Sequence, residues 1–71
     1  MDEVEILIRG HIDDQWSDWL GGLQITHLEQ GRSRLAGSIV DQAMLFGILT
    51  KLRDMDLKIV LVNLDEGVHN E

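Results

Sequence analysis

An α+β sandwich made of two strand–helix halves is the fold class this sequence predicts, and three observations carry it. Residues 41 to 64 join a helix-period apolar stripe to a short β-branched run, residues 3 to 12 alternate apolar with polar, and Gln30-Gly31 separates two further strand-like segments. Each element follows from its residues in turn.

Glu3 to Ile12 places Val4, Ile6, Ile8 and Ile12 at every second position, the pattern of a strand with one face buried. Asp13 or Asp14 then caps a first short helix carrying Trp16, Trp19 and Leu20 on one side, and Gly21-Gly22 ends it, because glycine tolerates the left-handed geometry of a helix C-terminus. Leu23 to Glu29 and Arg32 to Val40 read as an antiparallel hairpin about Gln30-Gly31. Asp41 caps a second helix, since its carboxylate accepts from free first-turn N–H groups at the positive end of the dipole. Leu45, Ile48, Leu49, Leu52 and Met55 recur at three- and four-residue spacing and form its buried face. Leu57 to Leu64, LKIVLVNL, is the last strand. The order is βαββαβ, so a ferredoxin-like two-layer sandwich is expected, with strand order 4-1-3-2 and both helices on one face. The domain spans 1–64, and 65–71 is expected to be a frayed tail.

A chain of 71 residues buries only roughly 60% of its unfolded surface. It holds no cysteine, so neither disulfides nor thiolate metal sites assist it. Oligomerisation is the remaining aid, and a homodimer is expected. Thirteen acids against six bases give a net charge of -7, which argues against nucleic acid as a partner. The N-terminus is acidic, and no apolar run approaches the roughly 20 residues needed to cross a bilayer. A cytoplasmic protein with no membrane partner is the expectation.

The last strand suggests where a partner docks. In the 4-1-3-2 order it lies at an edge, yet Ile59, Val60, Leu61 and Val62 put apolar side chains on both of its faces, and long apolar edges aggregate unless covered. Leu7 and Leu28 stand out of phase with their own strands and extend a greasy second sheet face. A fold-back of the C-terminal tail is the alternative cover.

The segments WSDWLGGL (16–23) and DQAMLFGILTKLRDMDLKIVLV (41–62) resemble those of a family of small, uncharacterised prokaryotic proteins. Its members carry a W-x-x-W/F-G-G-L segment and a D-Q-A-x-L-x-G-x-L-x-x-[IL]-R-D-[LM] segment, and the likeness spans nearly the whole chain. It implies the fold and no activity. Phe46 stands where the family pattern has His, and Asp56 where it has Gly, which implies a different turn at the helix exit.

No residue set supplies chemistry. His11, Asp13 and Asp14 form one short segment that the capping role of the aspartates explains better than a metal. His27 shares parity with Leu23 and Ile25, so it is either a histidine satisfied by a backbone carbonyl or an exposed residue of the hairpin end. Ser33 and Arg34 lie across the hairpin from it without diagnostic spacing. The glycines form neither a phosphate loop nor a dinucleotide fingerprint, and Gly47 in helix two is expected to allow a close approach. There is no basic patch. No catalytic residue, metal or cofactor is therefore expected, and an enzyme is not. Trp16 and Trp19 share a face, and at least one is expected to pin helix one to the sheet, contributing about 3 kcal/mol if fully buried. The partner-binding set is Trp16, Trp19, Phe46, Val60 and Val62. The functional reading is a non-enzymatic homodimeric interaction module; the alternative, by analogy of topology alone, is an ACT-like small-molecule-binding regulatory domain.

Overall fold

The computed structural model describes residues 2–65, which form one four-stranded antiparallel sheet and a single α-helix. In chain order they are β1 (Asp2–Arg9), a 3-10 turn (Asp14–Trp16), β2 (Gln24–His27), β3 (Arg32–Ile39), α1 (Gln42–Asp54) and β4 (Lys58–Asp65). The sheet order is β2-β3-β1-β4, which is the expected 4-1-3-2 read from the opposite edge.

The first expected helix does not form, so the element order is β-β-β-α-β rather than βαββαβ. Asp13 does cap, accepting from Gln15 N, but only one 3-10 turn follows. Ser17 spends its hydroxyl on the Leu23 carbonyl, and Gly21 and Gly22 both take φ near +80°. Those anchors fold the segment back before a second helical turn, which alone would repay nucleation. The core from this segment is Ile12, Leu20 and Leu23, all sealed. Neither tryptophan pins it: Trp16 and Trp19 are 39% and 43% exposed.

Strand β1 stops at Arg9 rather than Ile12, because Gly10 turns the chain with φ +136° and has no room for a Cβ, which would lie 2.7 Å from Leu57 Cδ2. Val4, Ile6 and Ile8 face the helix side with Leu35 and Ile39 of β3. Leu45, Ile48 and Leu52 of α1 close over them, as the stripe predicts, with Leu49 and Met55 at its margins. The hairpin connection has three residues, Glu29 to Gly31, not two. Leu28 N donates to Arg32 O at 2.8 Å, and Gln30 and Gly31 both carry positive φ.

Asp41 caps α1, accepting from Met44 N at 2.9 Å. The far end closes as a Schellman motif: Leu57 N donates to Leu52 O, and Asp56 N to Arg53 O. Asp56 sits at the left-handed position with φ 65°, so the helix exit keeps the geometry that glycine favours rather than adopting another turn. Gly47 is exposed with nothing within 4 Å of a built Cβ, so it allows no close approach. β4 runs through Asp65, one residue beyond the expected boundary; the remainder of the expected tail, with His69, lies outside the described residues. Among the described residues no helix is long and apolar enough to cross a membrane.

Asp56→Gly should stabilise the fold by about 1 kcal/mol by relieving an L-residue of positive φ, seen as a higher urea midpoint at unchanged slope. Gly47→Ala should add up to about 1 kcal/mol by helix propensity alone; a lower midpoint would mean a tight contact at that position.

Candidate functional site

The two flanks of α1 carry different surfaces. Met44 and Lys51 lean toward the 13–23 segment, where Lys51 Nζ donates to the Trp19 carbonyl at 2.8 Å and lies 5.0 Å from the centre of the indole. Trp16 meets Trp19 edge to face with centroids 5.5 Å apart, so the tryptophans hold one another and a lysine.

On the opposite flank, Phe46, Leu49, Thr50 and Arg53 line a groove of about 320 Å³ with Leu57 and Ile59 of the run into β4. Phe46 is 60% exposed at its rim. Val62 lies opposite Ile6 on the helix side of the sheet, while Leu61 lies opposite Leu7 on the outer side. Leu7 pairs with Leu61 and Ile8 with Ile59, leaving Val60 as the extra residue of a bulge. Val60, Leu61 and Val62 remain 49%, 46% and 36% exposed. The five residues singled out by sequence thus fall into two groups: Phe46, Val60 and Val62 border the α1–β4 side, and Trp16 and Trp19 lie across the helix from them.

The outer face of the sheet carries Leu7, Leu28 and Leu61, as expected, but among mostly polar residues. Glu3, Glu5 and Arg9 alternate along β1 around Leu7, and Arg32, Arg34 and Ser38 along β3. Leu28 stands opposite Arg32 just past the end of β2. Arg34 Nε donates to Glu5, and Asn63 and Ser38 donate to Glu5 and Glu3 respectively. The Arg34 guanidinium foremost, and then Asn63, hold the Glu5 carboxyl below the ordinary glutamate value. These residues border an open concavity of about 450 Å³ with Ala36, Leu64 and Asp65.

His11 and His27 meet at the end of the hairpin. His27 Nε2 lies 2.8 Å from the Ile12 carbonyl and 3.6 Å from Asp14 Oδ1, and its ring stacks on His11 at 4.6 Å. Ser33, opposite His27, is sealed and donates instead to Gly10 O at 3.0 Å. A base and a nucleophile on facing positions therefore each serve a backbone carbonyl. Among the described residues no group of three or more His, Cys, Asp or Glu is placed to hold a metal.

One family model matches residues 3–63, and its description is a domain of unknown function, DUF8691. The chain belongs to this family. No curated protein and no solved structure matches it. The DUF8691 match covers both flanks of α1 and all but the last residues of β4, so the groove lies within the matched region, whereas the concavity extends past it to Leu64 and Asp65.

A depressed Glu5 pKa contributes stability that is present above 4.5, the value of an unperturbed glutamate, and is lost as pH falls through the lower folded value. Glu5→Gln should therefore be less stable than the parent at pH 7, and the gap should close progressively in acid. Urea midpoints across pH would show it; a gap that widens below 4.5 would contradict the ion pair.

Proposed function

We propose that this DUF8691 chain is a non-enzymatic interaction module that pairs with a second copy of itself through the α1–β4 side. The observation that carries the reading is the apolar surface of Phe46, Val60 and Val62, exposed among the described residues beside a groove of about 320 Å³. A two-fold contact is self-complementary, and here the same patch offers both parts: the Phe46 ring of each copy fills the groove between Leu49 and Ile59 of the other. The bulge at Val60 interrupts the free edge, so the contact is made by side chains and not by extending the sheet. Small size supports the same reading, because a core drawn from 71 residues leaves stability to be gained by association. The strand order and the antiparallel pairing support a ferredoxin-like ancestry in which the first crossover has contracted to a 3-10 turn.

A small-molecule-binding regulatory role of the ACT type is the second reading, favoured by the open concavity around Glu5, Arg34 and Asn63. A thermal-shift screen of amino acids and common metabolites separates it from the first.

Light scattering on a size-exclusion column should give twice the chain mass of 8.1 kDa at micromolar concentration. Phe46→Asp and Val60→Asp should each shift it to the single-chain mass with an unchanged circular dichroism spectrum. A strict monomer for the unmodified chain would refute the proposal.

A further inference from the structure

Strand register brings together three cations that the sequence scatters. Arg9 lies opposite Arg32 on one side and Lys58 on the other, so β3, β1 and β4 contribute one row, roughly 10 Å long at the usual strand spacing. The row is on the outer face, since Ile8 and Ser33, one residue along, are sealed in the core. Three of the chain's six Lys and Arg gather here, in a protein that carries thirteen Asp and Glu.

None of the three joins an ion pair among the described residues, where the pairs are His27 with Asp14 and Arg34 with Glu5. The adjoining row of the face is Leu61, Leu7 and Arg34, with no carboxylate in it. Arg32 carries a further mark: its Nε is sealed from solvent and has no hydrogen-bond partner. Like charges set directly opposite destabilise a strand pair, and an unmatched buried donor is unfavourable as well. One bound oxyanion relieves both.

We propose that Arg9, Arg32 and Lys58 form a binding site for a small phosphorylated molecule, gripped by a phosphate or diphosphate group. Three unneutralised cations call for a ligand of more than one negative charge, and the guanidinium fork suits phosphate oxygens bidentately. The length of the row accommodates two linked phosphoryl groups, and a turn of the flexible Arg32 side chain presents Nε to one of them. A polymer is disfavoured, because the same face leads on to Glu5, Glu3 and Asp65 and the whole chain repels a long polyanion. The site is complete within one chain and so stands apart from the dimer reading.

Isothermal titration of the full chain with inorganic pyrophosphate at low salt should show one saturable site, at least tenfold tighter than inorganic phosphate and weakened by added salt. Arg9→Ala should lose at least tenfold in affinity with an unchanged circular dichroism spectrum. Lys58→Ala, on the exposed edge strand, should do the same and guards against a folding defect in the first variant. The Lys51→Ala, Arg53→Ala double variant should bind as the parent does. A nucleoside diphosphate binding more tightly than pyrophosphate would identify the group as part of a larger metabolite; equal binding would identify the free anion. Absence of heat and of thermal shift at about 10 mM pyrophosphate, equal loss in the Lys51 and Arg53 variant, or tighter binding of polyglutamate would each overturn the proposal.

Discussion

A single helix has to seal one face of a four-stranded sheet, and the rest of the molecule is arranged around that shortfall. α1 runs between β3 and β4, the strands its backbone approaches, and its Leu45, Ile48 and Leu52 join Ile6, Ile8, Leu35 and Ile39 in one core. On the β2 side, where a second helix would sit, a folded-back segment inserts Ile12, Leu20 and Leu23 instead. Among the described residues no further element arrives on the β4 side. Ile59 and Leu64 are therefore only partly covered, and the groove beside Phe46 is the space left over.

Much of this was legible in the residues. The Asp41 cap, the stripe of α1, the alternation of β1 and the positive φ of Gly31 in the hairpin are all local signals, and local signals survive folding. What failed depended on competition between short-range alternatives. The Trp16 and Trp19 spacing suits a helix, but a side-chain bond from Ser17 and two left-handed glycines outweigh one or two helical hydrogen bonds. Asp56 was misread for a related reason: the Schellman hydrogen bonds and the Leu57 anchor hold an L-residue where glycine is easier.

The candidate surfaces divide in the same way. Exposure of Phe46 and of the β4 edge follows from helical phase and from an edge position, both readable in one dimension. The basic row was invisible there, because Arg9, Arg32 and Lys58 become neighbours only through the pairing of three strands. A scan for clustered charge along the chain finds none of it. Phe46 stands on the rim of the groove and not in the core, so its ring belongs to the surface and not to the packing.

The doubled apolar character of LKIVLVNL has its origin in the Val60 bulge. One extra residue shifts the alternation of the strand midway, so Ile59 and Val62 point to one side although their spacing is odd, and Leu61 points to the other. That slip also breaks the regular ladder of free amide and carbonyl groups along the outermost strand. A shortened chain lacking this residue would regain an unbroken, water-facing template of the kind on which identical strands stack into fibres.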